Sequence, residues 1–343
     1  MTQTNEHKTA LVLGATGGIG GEVGRKLLAR GWAVRALNRN AFKAAALHPE
    51  FEWIDGDAMV AEDVLSAANG ADLIVHAVNP PGYANWGSLA LPMIDNTIAA
   101  ARANGATVLL PGTIYNYGPD AFPFLSENAP QNPTTVKGGI RVEMERRLAV
   151  ASEDGVRVII LRAGDFFGPT AVNSWFSQGM VTPGKPLTSI TYPGKAGTGH
   201  QWAYLPDVAE IMLRLVERRD RLPPFATFHM TGFWDDDGTK MVAAVRRVTG
   251  RPDLRVKSFP WWLLPLAAPF VTFMRELREM RYLWKEPLRM PNARLVETIG
   301  AEPWTPIDTA VRTTLAALGC LPADARNVPH KLLAAPVQAG AAR

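Results

Sequence analysis

The amino-acid sequence predicts an α/β fold, a doubly wound parallel sheet with a smaller C-terminal α/β lobe. Three observations predict it. Short apolar runs alternate with helical periods through the first half of the chain. A glycine-rich turn, Gly14-Ala15-Thr16-Gly17-Gly18-Ile19-Gly20, falls between the first apolar run and the first helical period. Beyond Gly168-Pro169 the alternation gives way to stretches rich in proline and glycine, with helices spaced among them.

Taken in order, the apolar runs place strands at 9–13, 33–37, 51–54, 73–78, 107–110 and 156–161. The run at 73–78 is continuous, as expected of a strand covered on both faces. Helical periods fall at about 19–30, 89–103 and 138–152, and Gly31 stands where a C-terminal glycine belongs. In the second half, helices are expected at about 206–218, 239–250, 270–283 and 306–318, with long loops and small strands over 183–199. The division is therefore mainly a nucleotide-binding Rossmann unit over 1–170, a substrate-binding lobe over 171–320, and a flexible alanine- and proline-rich tail over 321–343.

Bulk properties narrow the partners. The 343 residues are 47% hydrophobic and 20% charged, an ordinary globular balance. The net charge of +4 is spread along the chain without a basic run, which argues against nucleic acid. The single cysteine, Cys320, reads as a small buried hydrophobe near a helix end. Met1 to Lys8 is polar and lacks an apolar signal region, so a cytoplasmic location is expected. Residues 259–274 are uncharged but are broken by Pro260, Pro265 and Pro269 and fall short of the roughly twenty residues a span needs. No membrane span is expected. Asp235-Asp236-Asp237 reads as a solvated helix start, and no metal site is expected.

The glycine turn carries the chemistry. In Gly14-x-x-Gly17-x-x-Gly20 the first glycine permits a tight turn, the second admits a pyrophosphate to the backbone, and the third lets helix pack on strand. Thr16, Gly18 and Ile19 complete the phosphate contact, because the helix start offers free N–H groups and partial positive charge. The second strand ends in Leu37-Asn38-Arg39-Asn40, without the acidic residue that would accept bonds from both ribose hydroxyls of NAD. Arg39 instead offers a fork of donors to a 2′-phosphate, so NADP(H) is favoured over NAD(H), with Lys43 and Arg35 as lesser candidates. Asp57 is a candidate partner for the adenine amino group, or else the cap of the next helix. Ala77, Asn79, Ala163 and Asp165 are further candidates for contact with the cofactor.

These residues, in this order, resemble the extended short-chain dehydrogenase/reductase family, which contains nucleotide-sugar epimerases and dehydratases. The resemblance runs from about Thr9 to Leu318. It takes in Gly56-Asp57, His76-Ala77, Asn96, Thr113-Ile114-Tyr115-Asn116-Tyr117-Gly118, Arg162-Ala163-Gly164-Asp165, Trp202 to Ala209 and Asn292 to Pro306. It implies hydride exchange at a carbon bearing oxygen, on a small carbonyl or hydroxyl compound or a nucleotide sugar, and a homodimer through the helices at 89–103 and 138–152. It also implies a hydroxyl residue, a tyrosine, and a lysine four residues after that tyrosine. Thr113 fills the hydroxyl position. The Tyr-x-x-x-Lys helix, however, is replaced by Lys137-x-x-x-Arg141, a register supported by Pro133, Gly138 and Glu145. Lys137 and Arg141 share one helix face, either toward the cofactor or on a solvated surface. Arg141 can donate to ribose hydroxyls but cannot act as acid or base near neutrality. Tyr115 is the second candidate for the proton donor, or else an aromatic wall. Tyr117 is expected to pack structurally, and Asp165 and His200 reach the cleft or bond within loops.

Three functions compete at this point. One is an NADP(H)-dependent oxidoreductase or epimerase with a non-standard proton donor. Another is an NADP(H)-binding sensor, scaffold or assembly factor without redox turnover. The third is non-redox chemistry on Lys137, as base or Schiff-base amine.

Overall fold

The computed structural model describes residues 8–80, 86–263 and 279–321. Strands and helices alternate through the first half as β1 (Thr9–Leu13), α1 (Gly18–Ala29), β2 (Ala33–Asn38), α2 (Ala41–Leu47), β3 (Glu52–Asp55), α3 (Ala61–Ala67), β4 (Leu73–His76), α4 (Trp86–Asn104), β5 (Thr107–Gly112), α5 (Val136–Glu153) and β6 (Val158–Arg162). The second half adds β7 (Asp165–Phe167), β8 (Ser189–Tyr192), β9 (His200–Tyr204), α6 (Leu205–Val216) and β10 (Phe225–His229). It continues with β11 (Phe233–Asp235), α7 (Lys240–Thr249), β12 (Arg255–Ser258), α8 (Ala293–Ile299) and α9 (Ile307–Ala317).

Seven strands form one parallel sheet in the order β3-β2-β1-β4-β5-β6-β10. Every position of β4, β5 and β6 is buried, which is why their sequences are apolar without alternation. On one face α1 and α6 cover a core containing Val12, Val23, Leu27, Leu161 and Ile211. On the other, α3, α4 and α5 cover Leu11, Ile74, Val108, Ile94 and Met144. From β1 the chain runs outward through β2 and β3, then crosses to β4 on the other side. Strand order thus reverses between β1 and β4, and the crevice beyond their carboxyl ends is where such sheets bind ligands.

The seventh strand is an addition to the sequence reading. Phe225-Ala226-Thr227-Phe228-His229 follows Pro223-Pro224 and is too short to show a period, so its pairing with β6 alone defines it. The rest of the second half packs β7, β9 and β11 into a small sheet and pairs β8 with β12. A separate core of Phe167, Phe176, Trp202, Met241, Trp284 and Val311 lies beneath them. The helix expected at 270–283 and the uncharged run 259–274 lie mostly outside the described residues, as does the tail after Leu321. What is described there is a turn of 3-10 helix at Trp261–Leu263 and another at Met280–Trp284. Among the described residues no helix is long and apolar enough to cross a membrane.

Candidate active site

The glycine turn separates into packing and ligand roles when each glycine is tested for space. Gly14 has φ +92°, and a Cβ on it would lie 2.5 Å from the Ala77 carbonyl oxygen at the end of β4. A Cβ on Gly20 would lie 2.3 Å from the Gly14 oxygen, so α1 closes onto the turn. Gly18 is confined by Thr170 and Leu205, a constraint the motif does not reveal. Gly17 differs, because its nearest neighbour, the Gly14 oxygen, would be 3.2 Å away and the residue is exposed. Protein packing explains the first and third glycines; the second meets only the Gly14 oxygen and is otherwise exposed. Gly17 is also the N-cap of α1 and brings no capping side chain, and the first turn holds no acidic residue. The Gly17 amide is spent on the Gly14 oxygen at 2.9 Å, so it is the following amides of the first turn of α1, with the positive end of the helix, that are left for an anion, the donor set a dinucleotide pyrophosphate requires.

At the adenosine end, the Asn38 side chain accepts the Asn40 amide at 2.9 Å, and Asn40 caps α2 by accepting the Lys43 amide at 2.9 Å. Arg39 stands exposed between them, with no hydrogen bond or ion pair among the described residues. Arg35 is engaged elsewhere, donating to the Asn69 carbonyl at 2.6 Å. Asp57 accepts the Met59 amide at 3.0 Å, so at least one carboxylate oxygen caps the approach to α3.

On the β4–β5 side of the switch point, α5 brings its two cations inward. Lys137 is 2% exposed and Arg141 6%, which removes the solvated-face reading. Arg141 donates to Asn79 Oδ1 at 2.8 Å, tying α5 to the loop after β4, and its guanidinium lies over the Trp86 ring. The Lys137 ammonium lies 3.9 Å from a carboxylate oxygen of Glu279, whose other oxygen accepts the Val136 amide at the start of α5. Glu279 was invisible in sequence because it arrives from far along the chain without any motif. His76, below this pair, is buried and held neutral, its pKa pushed down to about 3 by burial and then by the Arg141 charge. Thr97 spends its proton on the Met93 carbonyl, so its oxygen accepts from His76 Nδ1. Nε2 has no partner among the described residues.

The loop after β5 carries Thr113, whose hydroxyl donates to Asn116 Oδ1 at 3.2 Å. From Asn116 a partly buried chain of hydrogen bonds runs through Gln131 to Glu145, and Glu145 accepts from Arg162 Nε and Nη2 with its two carboxylate oxygens. Arg162 also donates to the Tyr117 hydroxyl at 2.6 Å, and His229 closes the network against Tyr117 and the Leu125 carbonyl. Tyr117 is thus the structural residue expected, with its phenol raised well above the usual range chiefly by burial. Glu145, read in sequence only as a register mark, is the charge that balances Arg162. Gly138 allows α5 to approach this loop, since a Cβ there would lie 2.3 Å from the Tyr115 carbonyl oxygen.

Asp165, three residues beyond β6, accepts from or bonds with His200 Nε2 at 2.8 Å, and the His200 ring stacks on Trp284 at 3.8 Å. The two sequence candidates therefore meet each other. Asp235 is wholly buried rather than solvated, because its two oxygens accept the Lys240 and Met241 amides and fix the start of α7. Asp235, Asp236 and Asp237 are close enough for a metal, but Asp237 likewise bonds the Thr239 amide and hydroxyl. Cys320 is buried beyond α9, as expected.

Comparison with known proteins agrees with this geometry. Residues 14–167 match a family described as NAD(P)H-binding. Over 176 residues the chain is 34% identical to a 3-diazoavenalumate denitrifying reductase from a Streptomyces species, a stretch covering 46% of this chain and 56% of that protein. The match thus spans little more than half of the reductase. UDP-glucose 4-epimerase from Brucella ovis in complex with NAD superposes with a TM-score of 0.69 at 17% identity, over 91% of this chain and 98% of that one. UDP-N-acetylglucosamine 4-epimerase from Bacillus cereus gives 0.65 at 16% identity, over 89% and 94%. Residues 14–167 form an NAD(P)-binding Rossmann domain. The chain as a whole has the fold of these epimerases, and at such identities fold is what is shared.

Proposed function

We propose that the chain is an NADP(H)-dependent oxidoreductase or epimerase of the extended short-chain dehydrogenase/reductase type, acting on a small carbonyl or hydroxyl compound or a nucleotide sugar. The observation that carries it is the uncapped, acid-free start of α1, set across the switch point from Thr113 and a buried Lys137–Arg141 pair. Gly14, Thr16, Gly17, Gly18, Ile19 and Gly20 surround the pyrophosphate, Asn38 and Arg39 the adenosine ribose, and Asp57 the adenine. Ala77, Asn79, Lys137, Ala163 and Asp165 line the nicotinamide half. When bound, the nicotinamide supplies or accepts hydride. Thr113 orients the substrate oxygen, Tyr115 contacts the substrate, and Lys137 and Arg141 supply positive charge where oxygen gains electron density. The name of the Streptomyces relative, a reductase, supports net reduction over epimerisation.

The test follows NADPH oxidation with 4-nitrobenzaldehyde as probe and, separately, the conversion of UDP-galactose to UDP-glucose in the presence of NADP+. Turnover is expected, reduced about a hundredfold or more in Thr113→Val and Lys137→Met. Full activity in both variants would remove these residues from the reaction. For cofactor choice, Arg39→Asp is expected to raise the Kd for NADPH about tenfold or more while changing that for NADH much less. Equal weakening of both would rule out Arg39 as the phosphate reader. The missing α5 tyrosine favours a second reading, an NADP(H)-binding protein without redox turnover, and tight binding with turnover of neither probe would select it.

A further inference from the structure

We propose that Tyr282, on the short helix Met280–Trp284, supplies the phenolic proton donor that α5 lacks. This rests on the hydride chemistry proposed above and names its acid. Four features of the structure converge on it. The Tyr282 hydroxyl is buried and has no hydrogen-bond partner among the described residues. A buried donor left unmade costs about 1–3 kcal/mol, so such a group in a native site calls for a function or a ligand. Its ring stacks on Phe122 at 6.1 Å, and it packs, as Tyr115 does, against the apolar cluster that contains Ile114 and Tyr117 from the loop carrying Thr113.

The segment carrying Tyr282 is also fastened to the site. Glu279, immediately before the helix, reaches Lys137 at 3.9 Å and accepts the Val136 amide. Leu125 and Arg289 exchange a backbone bond of 2.9 Å, and Arg289 returns another of 2.9 Å to Pro123. Finally, the carboxylates of Glu279, beside Lys137, and of Asp165, at the start of β7, both act electrostatically on Tyr282. Burial first, then those two carboxylates, raise the phenol above its usual range, so it stays protonated and acts as a donor.

The step is a carbonyl reduction. Hydride from the reduced nicotinamide adds to the carbonyl carbon and the C=O π pair moves onto oxygen. That oxygen takes the Tyr282 proton as the phenol O–H bond breaks, and the phenolate regains a proton from water. The substrates suited to it are aldehydes and ketones whose oxygen lies between Thr113 and Tyr282.

The experiment uses the full chain labelled with 13C-tyrosine, whose six tyrosines give a readable spectrum. The Tyr282 resonance is assigned from Tyr282→Phe and followed while NADP+ alone is added. It is expected to move on saturation. In parallel, Tyr282→Phe is expected to lower kcat for 4-nitrobenzaldehyde about a hundredfold, with the NADP+ Kd changed less than about twofold. A resonance that does not move, or wild-type kcat in Tyr282→Phe, would overturn the proposal. Failure of the proposed function looks different: the wild-type chain would bind no NADP+ or would leave NADPH unoxidised. Where binding persists without oxidation, an unmoved resonance still overturns the placement of Tyr282.

Discussion

His76 and His229 are buried in the neutral form, and each has its pKa pushed down to about 3, mainly by burial and then by a neighbouring arginine. In the unfolded chain a histidine takes a proton below about pH 6.5. Between these values the unfolded state holds more protons, so stability rises with pH and is lost as pH falls through the window. Each histidine contributes at most about 1.4 kcal/mol per pH unit. The thermal unfolding midpoint is expected to drop steadily from pH 7 to 4, and His229→Gln should flatten that slope. An unchanged slope in His229→Gln would assign the acid sensitivity to other groups. Residues of this kind were only partly legible. The glycines could be read because a tight turn and a close approach are local demands on the chain. Lys137 and Arg141 could be placed in register, but their burial depends on Asn79, Trp86 and Glu279, which no spacing connects to them.

At the scale of elements, α5 is the organising piece. Lys137, Arg141 and Glu145 recur every fourth residue and form one buried stripe toward the ends of β5 and β6. Glu145 neutralises Arg162 inside the protein, and the network it anchors holds the Thr113 loop. Removing one partner of such a pair leaves a buried charge uncompensated. Glu145→Leu is therefore expected to cost about 3–5 kcal/mol in urea unfolding, and Glu145→Leu with Arg162→Met markedly less than the sum of the two single changes. Strict additivity would mean the two charges do not depend on each other. The stripe itself was visible as a helical period. Its partners were not, because Gln131, Asn79 and Glu279 lie in segments whose backbone has no period to announce what they face.

For the whole molecule, alternating apolar runs and helical periods were enough to predict the parallel sheet, because helices on both faces demand continuous apolar strands. β10 escaped because five residues carry too little pattern, and the small strands of the second half are ordered by tertiary pairing. Thr113, Tyr115, Asp165 and His200 were named from sequence, whereas the neighbourhood of 279–284 escaped, because only the fold brings that segment to Lys137 and to the loop after β5. The proposed function gives all of these groups their meaning through a dinucleotide lying across the switch point with its pyrophosphate on the start of α1. Calorimetric titration of NADPH into the wild-type chain and into Gly17→Val tests this most directly, since Gly17 is the turn glycine least constrained by protein contacts. Saturable single-site heat is expected from the wild type, with at least a tenfold weaker Kd, about 1.4 kcal/mol, in a Gly17→Val chain of unchanged circular dichroism and unfolding. A folded wild type that gives no heat with NADPH or NADH, or a Gly17→Val chain that binds as tightly as the wild type, would contradict it.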